Sequence, residues 1–186
     1  MCCAEYLRCC GKLSAALASL LQKVLLIDAY LDIETTGLSP AYHRITVVGI
    51  GLAIGSHIEH VQLYDGSLTR SALEEALEGA TRLYTYNGQR FDLPFIAECL
   101  EIDLTEHLRH HDLMYDCWRQ GLYGGLKAVE ARLGIVRNVV GVDGYQAVLL
   151  WQRYEEQGDA EALATLLAYN REDVGNLREL RRWLRG

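Results

Sequence analysis

The sequence predicts an α/β layered domain, with a mixed five-stranded sheet and helices on both faces. Three observations predict it. Apolar or alternating runs at Leu25–Ile33, Arg44–Ala53 and His57–Tyr64 are separated by short turn signals, Thr36-Gly37 and Gly55-Ser56. Two later runs, Thr81–Tyr86 and His110–Met114, alternate with helical patterns. The 186 residues contain no linker-like, repetitive or low-complexity stretch, so one layered domain is expected.

In chain order, Cys3, Tyr6, Cys10, Leu13, Leu17, Leu20 and Val24 recur at alternating spacings of three and four. That spacing predicts an amphipathic, cysteine-containing helix over residues 1–24, which Gly11 interrupts without ending. Its Cys2-Cys3 and Cys9-Cys10 pairs lack the C-x2-C spacing of zinc or iron–sulfur sites, so packing outweighs metal binding. Residues 3–24 offer a seam for self-association.

The main domain is expected over 25–186. Leu25–Ile33 is apolar almost throughout and reads as a central strand. The next two strands follow through short turns, which makes the first three an antiparallel meander. Leu73–Leu77 is helical, Thr81–Tyr86 is the fourth strand, and Phe91–Leu100 is a helix with Pro94 in its first turn. His110–Met114 is the fifth strand, and the later strands are expected to be parallel. Helical stretches at 125–133, 143–156 and 159–184 complete the chain.

Composition bounds the partners. Half the residues are hydrophobic, 23% are charged and the net charge is −7, which argues against a broad basic surface. An acidic balance is compatible with a site that holds divalent metals. Near the end of the chain Arg171, Arg178, Arg181, Arg182 and Arg185 outnumber Glu172, Asp173 and Glu179; a solvated helix face explains them more simply than phosphate contact. The six cysteines do not form a secreted disulfide framework, so a reducing, cytoplasmic setting is expected. Leu13–Leu21 after Lys12 is too short and too close to a core strand for a signal peptide, and no run reaches membrane-spanning length.

Asp32 and Glu34 stand two apart near the end of the first strand, so they share one face. Two carboxylates about 4 Å apart repel by about 4 kcal/mol at an effective dielectric of about 20, and a divalent metal is the simplest offset. By itself the pair is hardly more than an acidic strand end. Asp92 follows Asn87-Gly88 and opens a helix, where an N-terminal cap is its ordinary role. Tyr169 and Asp173 are spaced i, i+4 on one helix face, beside an apolar stripe of Leu163, Leu166, Leu167, Val174, Leu177 and Leu184. A carboxylate at the margin of that stripe is costly unless paired or metal-bound. His107, His110 and His111 cluster without a suitably spaced cysteine pair, which disfavours zinc.

Taken together these strings carry a resemblance. Leu31-Asp32-Ile33-Glu34-Thr35-Thr36-Gly37-Leu38 closely resembles the first motif of the four-carboxylate (DEDD) exonucleases, which have a ribonuclease H-like fold. Asn87 followed by Phe91-Asp92 resembles their second motif. Tyr169-Asn170-Arg171-Glu172-Asp173 resembles the third motif of the tyrosine-bearing (DEDDy) branch. Gly124-Gly125-Leu126-Lys127-Ala128-Val129-Glu130, Leu133-Gly134, Asp143-Gly144 and His111-Asp112-Leu113 resemble the YprB-like predicted exonucleases, over residues 27–184.

The resemblance implies a 3′–5′ exonuclease that releases 5′-nucleotides from the 3′ end of single-stranded DNA or RNA. It implies two Mg²⁺ or Mn²⁺ ions held by Asp32, Glu34, Asp92 and Asp173, with Tyr169 orienting the attacking water. It places Thr35, Thr36 and Gly37 in the turn whose backbone amides face a nucleotide terminus, with Asn87, Phe91 and Leu38 lining its slot and Lys127 near a phosphate. Core packing for Phe91 and a plain helix-surface position for Lys127 are equally good readings, and Asp112 reads as a loop residue or a support for the metal ligands. A structure-selective endonuclease on the same site and a catalytically silent nucleic-acid-binding module are the alternatives.

Overall fold

The structure is a computed structural model that describes residues 27–186. The expected N-terminal helix over 1–24, with its cysteine pairs and its self-association seam, lies outside the described residues.

The described elements run β1 (Ile27–Thr35), β2 (Ile45–Ile54), β3 (His57–Tyr64), α1 (Arg70–Ala76), β4 (Ala80–Thr85), α2 (Asp92–Leu100), β5 (Arg109–Asp112), α3 (Leu113–Arg119), α4 (Leu126–Leu133), α5 (Gly144–Gln157) and α6 (Ala160–Arg185). They form a five-stranded sheet in the order β3-β2-β1-β4-β5. β1, β2 and β3 pair antiparallel, while β4 pairs parallel to both β1 and β5. This is the predicted mixed sheet, with β1 at its centre.

Alternation along β1 sorts the layers. Ala29, Leu31 and Ile33 pack with Leu73 of α1 and with Phe95 and Ile96 of α2 on one face. Tyr30 points the other way, into a cluster with Leu113 and Cys117 of α3, Val129 of α4, and Val174, Leu177 and Leu180 of α6. A third cluster of Val47, Ala147, Trp151, Leu166 and Tyr169 fastens α5 to α6 and β2. The same alternation aims Asp32 and Glu34 at α6.

The close seat of α6 on the sheet depends on two glycines. Gly49 and Gly51 lie opposite Asp32 and Tyr30 in the β1–β2 register. A Cβ on Gly49 would stand 2.1 Å from Asn170 Oδ1, and one on Gly51 would stand 2.8 Å from Val174 Cγ1. β2 is bare at these two positions, and the helix descends into the space.

Two expectations at element ends are corrected. Leu113 and Met114 do not extend the fifth strand; they begin α3. The Asp112 side chain accepts the Met114 N–H at 3.1 Å and so caps that helix, ending the strand at its own position. Helix α3 has only 7 residues, too short to show a periodicity of its own. The ordinary reading of Asp92 as a cap also fails, because Phe91 occupies the N-cap position and makes no side-chain cap bond. Among the described residues no helix is long and apolar enough to cross a membrane.

Candidate active site

The site forms where the C-terminal end of β1 meets the middle of α6. The β1–β2 register shifts between Glu34 and Thr35, a bulge of the kind that re-aims a strand end. Beyond it Thr36 closes a turn. Its N–H donates to the Arg44 carbonyl at 3.0 Å, and its hydroxyl accepts the Arg44 N–H at 3.1 Å. From α6 come Tyr169, Asn170 and Asp173, all buried.

Carboxylate oxygens of Asp32, Glu34 and Asp173 lie within 4.8 Å of one another, and among the described residues no other group of three potential ligands gathers so closely. Asn170 holds this arrangement from below. Its Nδ2 donates to the Asp32 carbonyl at 3.2 Å and to Asp32 Oδ2 at 3.1 Å, while its Oδ1 accepts from Gln62 Nε2 at 2.9 Å. One fully buried amide thus ties β1, β3 and α6 together at the acidic cluster.

Asp92 enters from α2. Its Oδ1 accepts the Ile33 N–H at 3.2 Å, between the two acidic positions of β1. The loop that delivers it is shaped by Asp112. That carboxylate accepts the N–H groups of Asn87 at 2.8 Å and Gln89 at 3.1 Å, besides that of Met114. Asn87 has φ +63°, a left-handed conformation that asparagine tolerates better than most residues.

On the other side, Arg137 from the loop after α4 binds Asp173 Oδ1 through Nη2 and Glu130 Oε2 through Nη1, the latter at 2.7 Å. Glu172 accepts the Asn138 and Val139 N–H groups and pins this loop to α6. Lys127 donates to the Val142 carbonyl, and its ammonium sits 4.4 Å from the Tyr169 ring centroid.

Burial sets the electrostatics. Desolvation first, and then the charge of Asp173, push Asp32 and Glu34 well above the ordinary carboxylate range. Burial pushes Asp92 up to about 7. Burial also raises Asp173, against the pull of Arg137. Tyr169 is raised by burial and then by Asp173, so its hydroxyl keeps its proton. Three buried carboxylates and the half-buried Asp32, all resisting ionisation and all offering hard oxygen donors, fit a divalent cation such as Mg²⁺ or Mn²⁺.

A cleft of about 200 Å³ opens over the cluster, lined by Asp32, Glu34, Asp92, Tyr169 and Asp173 and by Thr35, Leu38, Asn87 and Phe91. Leu38 stands on its rim, 85% exposed. Thr36 closes the turn beside the cleft through its bonds to Arg44, and the Lys127 ammonium packs on the Tyr169 ring; neither side chain itself lines the cleft. Among the three histidines read as a cluster, His110 bonds Thr85 and His111 stacks on Tyr84, and no metal-binding group includes them.

Sequence reasoning missed Asn170 and Arg137. Asn170 sat inside the third motif as a spacer beside Tyr169. Arg137 lies in a loop with no periodicity, and nothing in its neighbourhood marks it.

The family model for the RNase H superfamily matches residues 29–185. The chain belongs to the ribonuclease H superfamily. No curated protein sequence matches it. Among solved structures it is similar to NrnC of Brucella melitensis with bound Mg²⁺, with TM-score 0.57, 22% identity and coverage of 85% of this chain and 71% of that one. The apo form of a nuclease aligns with TM-score 0.57 and 18% identity over 94% of this chain and 77% of its own. These likenesses are of fold, and the superfamily sheet carries them.

Proposed function

We propose that the chain is a metal-dependent 3′–5′ exonuclease of the DEDDy type, nearest within the superfamily to the YprB-like predicted exonucleases and acting in the cytoplasm. The observation that carries this reading is the gathering of Asp32, Glu34 and Asp173 oxygens within 4.8 Å, in a cleft that Asp92 and Tyr169 also line. The superfamily assignment and the Mg²⁺-bound NrnC fold support it.

Asp32, Glu34, Asp92 and Asp173 would hold two Mg²⁺ or Mn²⁺ ions. Such ions, when bound, supply a water of lowered pKa and neutralise charge on the phosphoryl oxygens. The protein's own residues do the positioning. Tyr169 keeps its proton at neutral pH and shares it with the Asp173 carboxylate, so its hydroxyl oxygen would orient the water without taking a proton from it. Leu38 and Phe91 present apolar surface to the terminal base, and Asn87 offers a polar edge beside them. An unpaired 3′ end, with its base free of stacking, suits a slot of this size. Lys127 acts through Tyr169, holding the ring against α6.

The test is digestion of matched 3′-labelled single-stranded DNA and RNA with Mn²⁺ or Mg²⁺. Labelled mononucleotides are expected, and Asp32→Ala should cut the rate by more than about a hundredfold. Long fragments would mean an endonuclease, and undiminished activity in the variant would discard the site.

A further inference from the structure

A second concavity, of about 350 Å³, lies beside the β4–β5 edge of the sheet, between α3 and the end of α6. Small-molecule sites run from roughly 300 to 1,000 Å³, so it is of binding size. Arg82 and Arg109 reach it from the starts of β4 and β5, Arg119 from the end of α3, and Arg181 and Arg185 from the end of α6. Its carboxylate neighbours are few. Asp28 accepts from both Arg82 and Arg181, and Asp116 pairs with Arg119. Five guanidinium groups therefore face two carboxylates, in a chain whose net charge is −7.

Arg181 is the unusual member. The residue is 5% exposed, and its Nε and Nη2 are buried with no hydrogen-bond partner among the described residues. Its guanidinium lies 3.8 Å over the Tyr84 ring centroid, while Asp28 and the Tyr30 hydroxyl take Nη1. A buried cation that shares its one carboxylate with Arg82 leaves positive charge at the back of the cavity. At the mouth, Arg109 and Arg185 are exposed and form no ion pair among the described residues. Tyr84 and His111 stack with ring centroids 5.2 Å apart, and His111 is exposed, so its outer face is open to a planar group.

We propose that this cavity is an anion site that takes a phosphate group, carried by a free nucleotide or by the backbone of a nucleic-acid strand. Guanidinium forks match phosphate oxygens bidentately, and His111 gives an attached base a ring to stack on. Asp28 precedes Asp32 by four residues on β1, about 13 Å at roughly 3.3 Å per residue, so the cavity is distinct from the acidic cleft. The site does not depend on the nuclease reading; only its strand-borne form does.

The experiment uses the full chain in excess EDTA, where metal-dependent cleavage is silent. Pyrophosphate and a 5′-mononucleotide are titrated calorimetrically, and a fluorescent single-stranded oligonucleotide by anisotropy at several salt concentrations. Arg109→Gln/Arg185→Gln is compared with Arg153→Gln/Arg182→Gln, which removes the same charge from arginines paired elsewhere with Asp159 and Glu179. The cavity variant should weaken at least one probe by about tenfold or more, with the control variant unchanged. Loss with pyrophosphate or the mononucleotide identifies a free nucleotide as the source. Loss confined to the oligonucleotide, with a shallower salt dependence, identifies the strand. Equal affinities in the two variants, or no binding of any probe, would overturn the proposal. Because metal is absent throughout, a failed digestion assay leaves this result untouched.

Discussion

One face of β1 carries Asp28, Tyr30, Asp32 and Glu34 in alternation, and its acidic residues meet opposite fates. Asp28 is taken by two arginines. Asp32 has the Asn170 amide as its side-chain partner and is crowded by Glu34 and Asp173. Residue type alone does not separate these cases. The partners do: Arg82 comes from β4, while Arg181, Asn170 and Asp173 come from α6, more than a hundred positions away in the sequence. Gly49 is where this depends on a single atom. Gly49→Ala would drive a methyl into Asn170 Oδ1, at 2.1 Å in the present geometry. The expected cost is about 1–3 kcal/mol of stability, read as a lower urea midpoint with an unchanged m-value. Activity should fall further than stability, because the displaced amide is the one that holds Asp32. A variant as stable and active as the parent would show that the helix can shift without consequence.

Among elements, the loop before α2 and helix α6 decide whether the cleft exists. Asp112 gathers three backbone N–H groups, from Asn87, Gln89 and Met114. Asp112→Ala leaves those donors to find water or go unpaired, at about 1–3 kcal/mol for each that stays buried. It should destabilise the domain and, in the proposed nuclease, raise KM more than it lowers kcat, since the loop carries Asn87 and Phe91 but only leads to Asp92. Steady-state kinetics on a short oligonucleotide separates the two, and a pure kcat effect would contradict a positioning role. This scale also shows what the sequence could reveal. β1 to β4 and the late helices announce themselves through strong periodicity or long apolar runs. The acidic residues were legible because spacing two on a strand and four on a helix puts side chains on one face. Arg137 and the Asn170 amide were not, since a loop arginine and a motif spacer carry no local signal and acquire their roles only by long-range packing. Helix α3 was lost for a different reason: one short helix capped by a strand's last residue leaves no boundary to see.

For the whole molecule, the buried acidic cluster couples stability to pH and metal. Asp92 is raised from 3.8 to about 7, so the folded chain holds its proton more tightly than the unfolded chain does. Stability from this group is full below pH 3.8 and is lost as pH rises towards 7. Asp32 and Glu34 are raised too and act with the same sign. At the proposed site a divalent metal would bind the ionised form and reverse the penalty. The rise in Tm on adding Mn²⁺ to EDTA-treated protein should therefore be larger at pH 8 than at pH 5.5. It should shrink in Asp32→Asn at both values. Equal shifts at the two pH values in the parent would separate metal binding from these carboxylates.

The bond between Asn170 and Asp32 joins residues 138 positions apart, and that separation bears on synthesis. The sheet's central strand leaves the ribosome well before the helix that completes its acidic end. Domains gain their long-range contacts only when the distant partner is available. Until α6 docks, Asp32 and Glu34 lack both the third carboxylate and the amide that orients them. A nascent chain in which α6 has not yet docked therefore lacks the assembled acidic cluster.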